Sequence, residues 1–156
     1  MKAVIISPYS QKLRSGRRNP KNYPRWDEVI ASLKQRDFKV IQIGVTGEER
    51  IGGVDEHHIG LSLRQIETMV KETDTWASVD NFFPHLCNLM EKPGVVVFGR
   101  SDPLIFGYPQ NINLLRDRGH LRAMQYDIWD TVEYSDTIFV SPQEVVDSIL
   151  KIAKKE

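Results

Sequence analysis

Thr75-Trp76-Ala77-Ser78-Val79-Asp80-Asn81-Phe82-Phe83-Pro84-His85-Leu86-Cys87 predicts a short strand that stops at an acidic residue, turns, and enters a helix carrying a histidine. Lys92-Pro93-Gly94-Val95-Val96-Val97-Phe98-Gly99-Arg100-Ser101-Asp102-Pro103 follows almost at once and predicts a buried strand ending in a glycine turn. Its β-branched centre suits a parallel strand covered on both faces. Two such units in succession describe the carboxyl edge of a parallel sheet. In open α/β sheets that edge is where small ligands bind, so this region is the expected site.

Upstream, residues 3–7 form an apolar, β-branched run bounded by Pro8 and predict the first strand. Residues 10–24 are polar and rich in turn formers, with Lys12, Arg14, Arg17, Arg18 and Lys21 and almost no acid. So long a loop at a sheet edge is often functional. It can grip a phosphate or another anion, or it can be a solvated loop held down by Tyr23 and Trp26. Residues 24–36 predict a helix with Trp26, Val29, Ile30 and Leu33 on its apolar face, and residues 38–43 a second strand, which together make a crossover unit. The loop from Gly44 to Val54 carries glycines but lacks both the Gly-Lys-Ser/Thr ending of a Walker loop and the spacing of a dinucleotide fingerprint. Glu48 or Glu49 in it can accept hydrogen bonds from ribose hydroxyls, or be an exposed turn carboxylate. His57 and His58 are adjacent, so they do not share a helix face, and no metal-ligand spacing surrounds them.

Downstream of that loop, Ser62 and Gln65 form a capping box before a helix whose stripe is Leu63, Ile66, Met69 and Val70. Residues 101–111 are a turn-rich loop, and residues 112–115 predict an edge strand. Residues 116–133 have no clear periodicity; they are basic first, then acidic, and Tyr126 and Trp129 are expected to pack. Ser141, Pro142 and Glu144 open the last helix with a capping box, and Lys151, Lys154 and Lys155 suit its carboxyl-end dipole.

The chain has 156 residues, enough for one α/β domain spanning 1–156 with a real core. Acidic and basic side chains balance at 21 each, which removes any argument from net charge for a nucleic-acid or membrane partner. One cysteine, Cys87, excludes an internal disulfide and a cysteine zinc cluster. No apolar run reaches membrane-span length. The first residues are too short, and too soon interrupted by Pro8, for a signal peptide, so a soluble cytoplasmic protein is expected.

At the organising stretch, the backbone N–H groups that open a helix are unpaired and can hold a diphosphate. Asp80 is too acidic to face phosphate unprotected, and is better suited to cap the helix or orient neighbouring donors. His85 can donate to a phosphate and stabilise a departing nucleoside diphosphate, or be an ordinary half-buried helix histidine. Cys87 lies two residues from His85 and would not share its helix face. There is no Gly-x-Ser-x-Gly elbow and no compelling carboxylate pair.

Four segments carry a family resemblance: Lys21-Asn22-Tyr23-Pro24 with Arg25-Trp26-Asp27-Glu28, the second-strand exit from Gly44 to Glu48, Asp80 through His85-Leu86-Cys87, and Val95 through Phe98-Gly99-Arg100-Ser101-Asp102-Pro103. From about residue 3 to 150 the chain resembles the carboxyl-terminal, nucleotide-sugar-binding half of the heptosyltransferase family. The resemblance implies one Rossmann-like half of a GT-B glycosyltransferase, with a parallel sheet flanked by helices. It implies that Lys21 contacts the sugar-linked phosphate and Glu48 (or Glu49) holds the ribose. It also implies that the turn at Asn81 and Phe82 offers backbone donors to the diphosphate beside His85. Transfer in that family inverts the anomeric centre and needs no metal and no cofactor; the nucleotide sugar is the substrate.

Two departures stand out. Phe82 occupies a position where the family has glycine, and a bulky residue there can shrink the phosphate pocket. The acceptor half of the two-domain fold lies outside the resemblance, which implies a partner chain, a dimer mate that rebuilds the cleft, or a different job. The expected function is thus a glycosyltransferase or its subunit binding a nucleoside-diphosphate sugar. The alternative is a nucleotide or sugar-phosphate binding module, or a structural one, that has lost transfer. A nucleic-acid acceptor is suggested only by the Lys12–Lys21 and Arg116–Arg122 clusters.

Overall fold

The computed structural model describes residues 1–154; Lys155, expected at the carboxyl end of the last helix, lies outside the described residues. The strands are β1 (Ala3–Ser7), β2 (Lys39–Gly44), β3 (Glu56–Ile59), β4 (Thr75–Val79), β5 (Val95–Phe98) and β6 (Ile112–Leu115). The helices are α1 (Trp26–Gln35), α2 (Leu63–Glu72), α3 (Phe82–Leu89), the single turn α4 (Pro103–Phe106) and α5 (Pro142–Lys154). All neighbouring strands pair parallel, in the order β3-β2-β1-β4-β5-β6. This is the doubly wound Rossmann-like α/β architecture the sequence implied.

Alternation along the strands divides the core in two. Val4, Ile6, Val40, Ala77, Val79, Val95 and Val97 face α1 and α5. Ile5, Ile41, Ile43, Trp76, Val96 and Phe98 face α2 and α3. The central strands are apolar on both faces because both faces are covered. Trp26, Val29, Ile30 and Leu33 are the buried stripe of α1, as their spacing predicts. Both capping boxes form. Ser62 Oγ accepts from Gln65 N–H at 3.2 Å while Gln65 Oε1 accepts from Ser62 N–H at 2.8 Å. Ser141 Oγ and Glu144 Oε2 reciprocate in the same way at the start of α5.

Three expectations need correction. The segment holding His57 and His58, to which the sequence assigned no element, is a strand, β3; it lies at the sheet edge, where half-exposed positions carry no apolar alternation. The sheet therefore has six strands rather than five. Leu63, the first residue of α2, is not in its buried stripe but 60% exposed, at the rim of a cavity rather than in the core.

The strand order reverses between β1 and β4. The chain leaves β1 toward α1 and β2 on one side, and leaves β4 toward α3 and β5 on the other. The carboxyl ends of these two strands, Ser7 and Val79, flank the crevice that such a reversal opens.

Candidate functional site

Asn81 fastens that crevice. Its Nδ2 donates to Ser7 Oγ and to the Tyr9 carbonyl, both at 3.0 Å, so the two strand ends are tied across the switch point. Its Oδ1 accepts from Phe83 N–H at 2.9 Å and lies 3.0 Å from the Ser78 hydroxyl. Asn81, not Asp80, is the N-cap of α3. The correction has a geometric reason: Asp80 still follows the strand and is 6% exposed, with its carbonyl accepting from Ser10 Oγ at 2.6 Å.

The Asp80 carboxylate points instead at Lys21. Lys21 Nζ lies 3.1 Å from Asp80 Oδ2, and the two side chains are 18% and 8% exposed. The approach is ionic, outside hydrogen-bond directions, and Oδ2 has no hydrogen-bond partner among the described residues. Lys21 is delivered there by a structured loop. Asn19 Nδ2 donates to the Gln11 carbonyl, Asn19 Oδ1 accepts from Lys21 N–H, and Asn22 Oδ1 accepts from Ser10 N–H. The loop ends are fixed by Trp26 Nε1, which donates to the Pro8 carbonyl, and by Tyr23 Oη, which donates to the Val140 carbonyl. The basic loop is thus held down by Tyr23 and Trp26 and still brings one cation into the crevice.

Glu48 approaches from the β2 side. Its Oε1 accepts from Val45 N–H at 2.9 Å, closing the turn after the strand. Gly44 makes room for this: a Cβ there would lie 2.3 Å from Glu48 Oε1. Burial raises the Glu48 carboxyl above the usual glutamate range, opposed by the Val45 amide and by Lys12. Gln42, fully buried in the middle of β2, holds the rest of this loop. Its Nε2 donates to the Glu49 carbonyl and its Oε1 accepts from Ile51 N–H, both at 2.8 Å.

Lys21, Glu48, Asp80, Asn81 and Phe82 therefore line one cavity of about 650 Å3, together with Ser7, Tyr9, Ser10, Val45, Leu61, Leu63, Ile66 and Trp129. Phe82 is 48% exposed and forms part of the wall rather than filling the space. A second cavity of about 500 Å3 adjoins across Tyr9, Ser10, Asn19 and Glu48, and is bordered by Lys12, Arg17, Arg18, Arg50 and Glu49. His85 does not line either cavity. It is exposed on α3, with its Nδ1 2.6 Å from Tyr108 Oη and the two rings edge to face. Cys87 is buried on the opposite side of α3, and burial pushes its thiol up to about 12.

The Gly99–Pro103 turn makes structure rather than a pocket wall. Asp102 caps α4 through Leu104 N–H and pairs with Arg118, whose guanidinium meets both carboxylate oxygens at 2.8 and 3.0 Å. Arg118 holds the Asp102 carboxyl below the usual range.

Trp129, which lines the same cavity, and Gln42, which holds the loop carrying Glu48, are missing from the sequence-based set. Gln42 was signalled by a polar residue inside the apolar run Lys39-Val40-Ile41-Gln42-Ile43. Trp129 had no such signal, since it comes from a 3-10 turn at Trp129–Thr131 in a segment without periodicity. Among the described residues no three His, Cys, Asp or Glu side chains gather into a group that could hold a metal ion, and no helix is long and apolar enough to cross a membrane.

No protein-family profile and no curated protein matches the sequence. Solved structures do. The chain superposes on the glycosyl transferase family 9 protein from Veillonella parvula DSM 2008 with a TM-score of 0.76 at 15% identity. It superposes on Escherichia coli ADP-heptose lps heptosyltransferase II with a TM-score of 0.70 at 13% identity. For TibC, an iron-containing dodecameric glycosyltransferase of enterotoxigenic E. coli H10407, the values are 0.65 and 14%; TibC has also been solved in complex with ADP-D-beta-D-heptose. In the first three superpositions 99% of this chain is covered but only 47% of the other. The chain thus has the fold of one half of a GT-B, heptosyltransferase-like glycosyltransferase, and spans about half the length of the structures it matches.

Proposed function

We propose that these residues form the donor-binding half of a glycosyltransferase and hold a nucleoside-diphosphate sugar at the β1/β4 switch point. The observation that carries the reading is the convergence of Lys21, Glu48, Asp80, Asn81 and Phe82 on one cavity of about 650 Å3. Each wall suits one part of such a ligand. Val45, Leu61, Leu63 and Ile66 offer an apolar slot for a base. Glu48, once ionised, accepts from ribose hydroxyls. The Lys21 ammonium and the amino end of α3 face the diphosphate. As the glycosyl bond breaks, negative charge grows on the leaving diphosphate, and a fixed cation there stabilises it. Transfer with inversion then requires an acceptor and a base from outside this half.

That outside body has a surface to meet. Val45, Leu63, Phe82, Leu104, Tyr126 and Ile128 are all more than 45% exposed, and each lies on a segment that follows the carboxyl end of a strand. Exposed apolar side chains on such segments suit an interaction face. A partner chain, a second copy or a further part of a longer chain, seated there, completes the cleft.

The test is calorimetric titration of the folded chain with ADP, UDP, GDP and CDP, repeated on Lys21→Met and Glu48→Gln, with melting curves as a folding control. Saturable binding of one diphosphate that both changes weaken is expected. No binding by a folded wild-type chain ends the donor-site reading. The exposed Phe82 ring in the phosphate wall favours a second reading, a nucleotide-binding module without transfer. It would bind the diphosphate yet release no product in the presence of any partner half.

A further inference from the structure

We propose that Trp129 is a positioning residue for the Lys21 ammonium, a role that rests on the donor-site reading. Lys21 Nζ stands 4.8 Å from the centre of the Trp129 ring and 5.9 Å from that of Phe106, with Asp80 Oδ2 at 3.1 Å. The ammonium is thus bounded by one carboxylate and two aromatic rings, and Trp129 and Lys21 line the same cavity.

The two kinds of neighbour act differently. A carboxylate attracts the ammonium and cancels its charge. An aromatic face attracts it through the ring quadrupole and leaves the charge in place. Asp80 alone would leave the head of a flexible four-carbon stem free to swing about one contact. Trp129 adds a second point of attachment without using up the charge, so a diphosphate meets a cation already in position. Less ordering remains to be done on binding.

Trp129 is itself firmly held. The Arg122 guanidinium lies 4.5 Å from its ring centre. The neighbouring Asp130 accepts from Arg14 N–H through Oδ2 at 2.9 Å, and from the Arg17 guanidinium through its carbonyl at 2.5 Å. Arg18 stacks over Tyr134 at 4.2 Å, and Tyr134 Oη donates to the Asn22 carbonyl. The segment after β6 therefore grips the loop that carries Lys21 at several points, and places one aromatic ring against its ammonium.

Two substitutions separate the ring's quadrupole from its bulk. Trp129→Phe keeps an aromatic face, and Trp129→Leu keeps an apolar side chain without one. Two measurements are made on wild type and both variants, after melting curves establish that each is folded. One is the rate of reductive methylation of Lys21 without ligand, resolved by peptide mass spectrometry. The other is calorimetric titration with ADP, UDP, GDP and CDP. In Trp129→Leu, Lys21 is expected to react several times faster and the bound diphosphate to lose about five- to thirtyfold in affinity. Trp129→Phe is expected to recover most of both. Unchanged Lys21 reactivity in Trp129→Leu overturns the positioning role, whatever binds. Unchanged diphosphate affinity in Trp129→Leu overturns it for the ligand. A wild type that binds no diphosphate brings down the donor-site reading instead, while the methylation rates still decide whether Trp129 holds Lys21.

Discussion

Replacing Lys21 by methionine removes the cation paired with Asp80, a residue only 6% exposed. Breaking a buried pair from one side strands the other charge, a loss of about 3 kcal/mol at the lower end of the usual range. The melting temperature should fall by roughly 6–12 °C. Adding Asp80→Asn to Lys21→Met should recover much of that loss, because the stranded charge is then gone. Glu48 behaves differently, since burial raises its carboxyl. The folded chain keeps a proton there that the unfolded chain has released. Its contribution to stability therefore declines as pH rises from the ordinary glutamate range through the raised folded value, and is level above. Ligand binding runs the other way, because only the ionised carboxylate accepts from both ribose hydroxyls. Diphosphate affinity is expected to drop on acidification, beginning at a higher pH than an exposed glutamate would give, and Glu48→Gln should remove that part of the pH profile. Calorimetry across a pH series reads both effects. Lys21, Glu48 and Asp80 could be picked out from the sequence because each sits at a strand exit or in a loop of unusual length. Their pairing could not, because Lys21 and Asp80 are 59 positions apart and meet only through the fold.

Among the elements, the backbone leading into β5 packs closely on Trp76 of β4. A Cβ on Gly94 would lie 2.2 Å from ring atoms of the fully buried Trp76, whose Nε1 donates to the Lys92 carbonyl. The clash is with a fully buried ring rather than with the free end of a flexible side chain, so Gly94→Ala is expected to cost about 3 kcal/mol or more in denaturant unfolding. Gly44→Ala makes a useful contrast. Its Cβ meets the flexible end of Glu48, so the carboxylate can swing away at little cost in stability while losing its place in the cavity. Diphosphate affinity should suffer more than the melting temperature. The elements themselves were legible wherever burial imposed a period: β1, β2, β4, β5, α1 and the two boxed helices. β3 was not, because Glu56-His57-His58-Ile59 lies at an edge and is organised by charge. Glu56 pairs with Lys39 and with His58 Nε2, and no apolar pattern announces such a strand.

For the whole molecule, the sequence carried the parallel sheet and the edge at which the cavity opens, since both follow from apolar runs and the turns that end them. It did not carry the contribution of residues 116–140, which bring Trp129 to the cavity. That segment is held by arginine–aromatic stacking and by donors to backbone carbonyls, neither of which leaves a repeating pattern. The basic loop at residues 12–21 was legible despite the balanced net charge, but not which of its cations enters the crevice. The proposed donor site is a single place, the β1/β4 switch point, and an 18.0 kDa chain is small enough for residue-by-residue observation. The most direct measurement is a backbone and tryptophan-indole NMR titration with ADP, UDP, GDP and CDP. Saturable shifts for one of them at residues 44–48, at residues 80–83, at Lys21 and at the Trp129 indole are predicted, with the Trp26 and Trp76 indoles little changed. Saturable shifts confined to another surface, or none with any of the four, would contradict the account.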